Sequence, residues 1–307
     1  MPTQIEIRQQ IVINIVDALK NSDLPPWRMP WATHSNGRGL PANAISKRAY
    51  SGINPLLLTL HARRHRFRSR YWATFRQWAD RGASVMPRPA DVPPGAWGCQ
   101  IVLFKPITKT EIDKKTGEER ERAFPILRTF TVFNADQVYG AEEFQVTDLI
   151  VNDNFVGYEP AETALSAYPA DVRHGGDQAY YNLTHDYIQL PEKHRFAEER
   201  EYYATAFHEA AHHSESRLGW SGSYALGELR SEMAACFLMA ELGLPQSEDL
   251  TNHHAYIKDW LEALESDPRH LFSASSAASK AVDYILSFSR QTEAETQDVP
   301  DEELVVA

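Results

Sequence analysis

Hydrophobic positions along this chain recur at helical spacing in some stretches and at strand spacing in others. Ile7, Ile11, Ile15 and Leu19 fall every fourth residue and predict a helix over 5–20. That pattern breaks at Leu24-Pro25-Pro26-Trp27-Arg28-Met29-Pro30-Trp31, where prolines impose a stiff, extended path. A second helix starts near Pro55. Runs rich in β-branched and aromatic residues at 98–105 and 126–133 predict paired strands, with a hairpin tip over 113–120. Short strands are expected at 177–182 and 187–191. The stretch 198–218 contains neither Gly nor Pro, is rich in Ala and Glu, and stops at Gly219, which predicts a helix. Leu229, Met233, Cys236, Phe237 and Ala240 form the apolar stripe of another helix, closed by Gly243 and Pro245. Packing helices follow at 256–264 and 274–288.

These elements predict an α+β protein of two domains. An N-terminal α+β domain covers 1–140, a polar linker 141–154, and a mainly helical C-terminal domain 155–290. Residues 291–307 hold six acids and no base, the composition of a disordered tail. The length of 307 residues is enough for two separate cores.

Charge sharpens the division. Residues 1–140 contain 21 basic against 11 acidic residues, a net of +10; the remainder has 10 basic and 31 acidic, a net of −21. The basic half suits nucleic acid and the acidic half does not. Two cysteines, Cys99 and Cys236, exclude a disulfide framework and read as buried thiols in a reducing compartment. The chain has no run of 18 apolar residues and no apolar block behind its N-terminus. A cytoplasmic protein without a membrane partner is expected.

Within the basic half, aromatics and cations alternate. Trp27 and Trp31 sit on the proline-stiffened segment. Lys47, Arg48, Tyr50 and Asn54 belong to a polar, cationic loop. Arg63, Arg64, Arg66, Arg68 and Arg70 are expected on the second helix, followed by Tyr71-Trp72 and Phe75-Arg76-Gln77-Trp78. Cations that hold phosphates and rings that stack on bases are what a single-stranded nucleic acid requires. The competing reading is a solvated basic helix with Trp72 and Trp78 in the core.

The acidic half carries His208-Glu209-Ala210-Ala211-His212, the H-E-x-x-H pattern, inside an expected helix. Histidines four apart share one helical face, roughly 6 Å apart along the axis, and can grip one cation. Glu209 is then placed as general base on a water. A third ligand is expected from the next helix, where Glu228 and Glu232 stand one turn apart. Glu232 is the expected ligand and Glu228 the group that orients a histidine N–H, although the two roles are interchangeable at this level. The variant with a third histidine needs Gly at 215 and His at 218, and the chain has Glu215 and Leu218. His213 points about 100° away from His212 and is expected at the surface. Tyr224 or His185 is a candidate to stabilise an oxyanion. Zn²⁺ suits this donor set, as does another divalent ion such as Mn²⁺ or Co²⁺.

With these residues in view, the chain resembles ArdC-type antirestriction proteins over most of 1–290. The likeness rests on Pro-Trp-Arg-Met-Pro-Trp, Asn43, Tyr50-Ser51-Gly52-Ile53-Asn54, Tyr71-Trp72, Lys105-Pro106 and Val132-Phe133-Asn134-Ala135-Asp136-Gln137-Val138 in the first half. In the second it rests on Tyr187-Ile188-Gln189-Leu190-Pro191, the His208/Glu209/His212 motif and the run from Glu228 to Leu238. The resemblance implies an N-terminal domain that binds single-stranded DNA, with Lys105 among its contacts, and a C-terminal zincin-like metallopeptidase domain. It further implies protection of incoming plasmid or phage DNA from host restriction, with a restriction enzyme or another protein as a candidate substrate. The alternative is a non-enzymatic protein that shields DNA by occupancy and keeps a structural metal. Mimicry of DNA fits poorly, because the acid sits in the metal-bearing half.

Overall fold

The computed structural model describes residues 3–21, 39–112, 119–146, 158–196, 198–245 and 254–297. Trp27 and Trp31, the hairpin tip at 113–118 and the end of the tail lie outside them. Helix α1 (Gln4–Asn21) forms where expected and buries Val12, Ile15, Val16 and Leu19.

The N-terminal half is built on a four-stranded sheet. Its order is β1 (Ala42–Asn43), β2 (Tyr71–Thr74), β5 (Glu119–Asn134) and β4 (Cys99–Ile112). β1 runs parallel to β2, β2 antiparallel to β5, and β4 and β5 form a long hairpin. Helix α2 (Asn54–His65) starts with Pro55 in its first turn and ends at Arg66, whose φ of 58° is left-handed. Arg66, Arg68 and Arg70 therefore lie beyond the helix, contrary to expectation: the chain must turn there to enter β2. Helix α3 (Phe75–Asp80) begins in a capping box, in which the Thr74 hydroxyl accepts from the Gln77 N–H. A two-stranded ribbon of β3 (Ser84–Val85) and β6 (Val138–Tyr139) completes the layer.

Two expectations change here, Trp72 as a nucleic-acid contact and the start of the linker, while the competing reading of Trp72 and Trp78 as core residues fits. Trp72 and Trp78 are both buried, at 1% exposure. Trp72 lies on β2, an interior strand, and packs with Leu58, Cys99, Ile101 and Val132. Trp78 donates its indole N–H to the Phe133 carbonyl at 3.0 Å. The linker was also expected from 141, yet Phe144 is buried, with its ring centroid 5.6 Å from that of Trp78 and 5.2 Å from that of Tyr71. The first layer thus extends to Val146, itself buried.

The C-terminal half holds helix α4 (Glu159–Ala167) and a small sheet of order β7 (Asp171–His174), β9 (Tyr187–Leu190) and β8 (Tyr180–Asn182). Helices α5 (Glu199–Arg217), α6 (Tyr224–Glu241), α7 (His254–Ser266) and α8 (Arg269–Gln297) follow. α6 is the central helix. Every residue from Leu226 to Ala240 is buried, because Ala, Leu, Met, Cys and Phe surround it on all sides. α8 continues through 291–297, residues expected in the tail.

The halves are not separate in packing. One core cluster includes Leu40, Ile53, Leu56, Val102 and Leu127 together with Leu271, Ala274 and Ala278 of α8. α1 lies against α7, with Lys20 Nζ 2.6 Å from Glu265 Oε1. Among the described residues, no helix is long and apolar enough to cross a membrane.

Candidate metal centre

α5 is long enough to carry His208 and His212 on one face, and it ends as Gly219 takes a φ of 65°. The chain reverses and returns as α6. Gly227 lets the two helices approach closely, since a Cβ there would meet Glu215 Oε1 at 3.1 Å. This brings Glu228 level with the histidines.

The resulting geometry is compact. The Nε2 atoms of His208 and His212 are 3.1 Å apart. Glu228 Oε2 lies 3.5 Å from His208 Nε2, and Glu228 Oε1 lies 3.4 Å from His212 Nε2. Glu232 Oε2 is 3.7 Å from the other ring nitrogen of His208, Nδ1, and Glu215 Oε1 is 3.1 Å from His212 Nδ1. The arrangement reverses the order expected for the two glutamates. Glu228, in the second turn of α6, faces both Nε2 atoms, while Glu232, one turn deeper, faces Nδ1 of His208.

The donor set fits a divalent cation. Donors bound tetrahedrally at about 2.0–2.1 Å stand roughly 3.3 Å from one another. The two Nε2 atoms are 3.1 Å apart, and the Glu228 carboxylate sets one oxygen 3.4 Å from His212 Nε2 and the other 3.5 Å from His208 Nε2; one ligand atom from each residue lies within 4.8 Å of the others. The same groups shift one another's ionisation. Burial works against a charge on His208, but hydrogen bonds to Glu228 and Glu232 and the nearby charge of Glu209 outweigh it and raise its pKa to about 10. Burial likewise opposes charge on His212, and Glu215 and Glu228 overcome it. Burial raises Glu228 as well, but the two histidines dominate and pull it well below the usual carboxylate range.

Glu209 is buried beside them. Burial raises its pKa above the ordinary carboxyl value, opposed by the two histidines and by a hydrogen bond from the Tyr181 backbone N–H. Tyr181 belongs to β8, an edge strand of its sheet, which lines a cleft of about 720 Å³ together with the metal-type cluster. Trp220 and Tyr224 also line the cleft. His185 does not; it turns to the Asn182 side chain.

His213 departs from its expected surface position. It is 1% exposed, with Nδ1 2.7 Å from the Tyr168 hydroxyl, and its ring lies between those of Tyr168 and Tyr181. The face of α5 opposite the cleft is covered too, which sequence spacing alone does not reveal. Glu215 is not among the residues expected at the site. Its position three residues after His212, on the same helical face, was the available signal.

The residues expected to meet nucleic acid divide in three. Lys47, Arg48 and Arg76 are exposed. Tyr50 and Asn54 are taken up by structure: the Tyr50 hydroxyl accepts from Asn43, and Asn54 exchanges two 2.8 Å hydrogen bonds with the Val102 backbone. Trp72 is withdrawn by burial, and Tyr71 is half-buried with the Lys47 ammonium 4.8 Å from its ring centroid. Phe75, 61% exposed beside Arg76, is the surface aromatic that the sequence did not distinguish from its neighbours. For Lys105 only the backbone pairing with Ile126 is described.

Comparison with known proteins gives the family of each half. Residues 5–133 match the family described as the N-terminal domain of anti-restriction factor ArdC, and residues 159–277 match a zincin-like metallopeptidase family. The chain is 32% identical to the uncharacterized protein y4eC of Sinorhizobium fredii (strain NBRC 101917 / NGR234), covering 97% of this chain and 96% of that one. It is also 32% identical to a DNA primase TraC of Escherichia coli over 92% of its own length but only 27% of the primase. Among solved structures, the metal-free crystal structure of the antirestriction ArdC protein from plasmid R388 matches with a TM-score of 0.74 and 33% identity, covering 93% of this chain and 98% of that one. Its Mn(II)-bound structure matches with a TM-score of 0.70 and 32% identity, covering 92% and 98%.

Proposed function

This chain belongs to the ArdC antirestriction family, and we propose that it binds single-stranded DNA through its N-terminal half and carries a divalent-metal site of peptidase type in its C-terminal half. The observation behind the second part is the meeting of two Nε2 atoms and the Glu228 carboxylate in the lining of the cleft. His208, His212 and Glu228 would hold the cation; Glu232 and Glu215 would fix the two rings through Nδ1. Zn²⁺ suits the donors, Mn²⁺ is held by the R388 ArdC protein, and Co²⁺ has similar demands. When bound, such a cation supplies Lewis acidity to the reaction.

The chain's own groups supply the rest. Glu209, raised in pKa and held by the Tyr181 N–H, accepts a proton from water and can return it to a leaving amine. β8 offers a sheet edge along which an extended peptide can lie. Tyr224, 72% exposed on the cleft, is the candidate to meet a developing oxyanion. Lys47, Arg48, Arg76 and Phe75 supply phosphate contacts and a stacking ring, with Trp27, Trp31 and Lys105 as further candidates from sequence. The protein would act in the cytoplasm on incoming plasmid or phage DNA, with a restriction enzyme or another host protein as the peptide substrate.

The test is Glu209→Gln, assayed for metal content, oligonucleotide binding and protection of transferred DNA in a restricting host. We expect metal and DNA binding to persist and protection to be lost. Full protection by this variant would assign the function to DNA occupancy alone.

A further inference from the structure

A second depression of about 640 Å³ lies where the halves meet, and the metal chemistry does not use it. Its N-terminal wall is Arg8 of α1, the loop at Gly52, and Phe104 of β4; its C-terminal wall is one face of α8. The walls are pinned together, as the Gly52 N–H donates to the Ser279 hydroxyl at 2.9 Å. Along α8, Arg269, Phe272, Ser276 and Lys280 fall at offsets of three, four and four, so they form one stripe facing the depression. Arg269 and Lys280, eleven residues apart, are separated by roughly 16 Å along the helix, room for a few nucleotides of extended strand.

The chemistry of the lining is specific. Cations stand at both ends of the stripe, Lys280 exposed and Arg269 paired with Asp267 at 2.6 Å, with Arg8 across from them, whereas the C-terminal half as a whole is strongly acidic. The Arg8 guanidinium carbon is 5.5 Å from the Phe104 ring centroid and 6.0 Å from that of Phe272. The two rings meet edge to face at 6.1 Å, and Phe104 remains 40% exposed. Serine hydroxyls lie between the cations, and Asp283 closes one end. Spaced cations, an exposed ring and serine hydroxyls between them are a surface for phosphates and stacked bases.

We propose that this groove binds a segment of single-stranded nucleic acid, so that the strand is held by α8 of the C-terminal half as well as by the N-terminal half. The inference rests on the single-strand reading above and adds α8, which lies beyond the N-terminal family match to residues 5–133.

The test uses the full chain and a fluorescently labelled oligothymidylate, titrated at several salt concentrations. Lys280→Glu and Ser276→Glu place negative charge in the groove at exposed helix positions. Arg173→Glu on β7, outside the groove, changes net charge as much as Lys280→Glu does. We expect each groove variant to weaken binding about tenfold, Lys280→Glu to flatten the log–log salt slope by roughly 0.7, and Arg173→Glu to change little. No binding by the wild type would sink the single-strand reading and the groove together. Wild-type binding with unaffected groove variants, or an equal loss in Arg173→Glu, would overturn the groove alone. If a variant melts early, photocrosslinking of an iodouracil-bearing strand to the wild type decides the matter: adducts on Phe104 or Phe272 support the groove, and adducts confined to other residues overturn it.

Discussion

Glu215 Oε1 lies 3.1 Å from His212 Nδ1, so the second histidine of the motif has its own carboxylate, as Glu232 serves the first. Glu215 is itself set in place: Arg230, fully buried, approaches its Oε1 at 3.8 Å and donates to the Ala211 carbonyl and the Ser214 hydroxyl. A carboxylate in this position fixes the ring and raises the basicity of Nε2. Glu215→Gln keeps a polar group but removes the charge. We predict a loss of about tenfold to a hundredfold in divalent-metal affinity, measured by competition with a chromogenic chelator, with the fold unchanged by circular dichroism. Unchanged affinity would show that the contact positions nothing.

The two glutamates of α6 should separate cleanly. Glu228 faces both Nε2 atoms and Glu232 faces Nδ1 of His208. We predict that Glu228→Ala abolishes stoichiometric metal loading, whereas Glu232→Ala retains it at reduced affinity. Elemental analysis of the purified variants after dialysis checks this, and the opposite order would exchange their roles.

What the sequence disclosed and what it withheld have physical reasons. The H-E-x-x-H pair and the α5 boundaries follow from local spacing and from Gly219, so they were legible. Glu228 and Glu232 are one turn apart on the same helix, and which of them comes level with the histidines depends on the path between α5 and α6 and on the close approach at Gly227. No local pattern encodes that. Trp72 was ambiguous for a similar reason: an aromatic after a basic run looks the same whether it faces bases or core. Only the non-local pairing of β2 with β1 and β5 decides it. Arg66 shows the limit of periodicity, since a left-handed cap ended a helix whose basic pattern ran on.

That distinction between buried and exposed aromatics predicts opposite phenotypes. Trp72→Ala should destabilise the fold by about 3–5 kcal/mol through loss of buried volume, read from chemical denaturation. Phe75→Ala should leave stability unchanged and weaken binding of a labelled single strand by about 1–3 kcal/mol, the worth of one stacked base. A stable Trp72→Ala protein, or a Phe75→Ala variant with full affinity, would contradict the assignment.

His61 gives the fold a dependence on pH that is separate from the metal centre. Burial pushes its pKa down from an ordinary 6.5 to about 4; the neighbouring charges of His65 and Arg64 push the same way, and a backbone hydrogen bond at Trp97 only partly opposes them. Its ring packs between those of His65 and Trp72, with Nε2 3.3 Å from the Trp97 carbonyl. Below pH 6.5 the unfolded chain takes up a proton at this residue that the folded chain refuses until about pH 4. Stability therefore falls as the pH drops through that window, by at most about 3 kcal/mol from this group, and is unaffected by it above 6.5. His61→Gln cannot take up the proton in either state. We predict that the urea midpoints of wild type and His61→Gln, compared at pH 7 and pH 5, differ by a gap that shifts in the variant's favour at the lower pH. A constant gap would mean that the acid sensitivity of this half arises elsewhere.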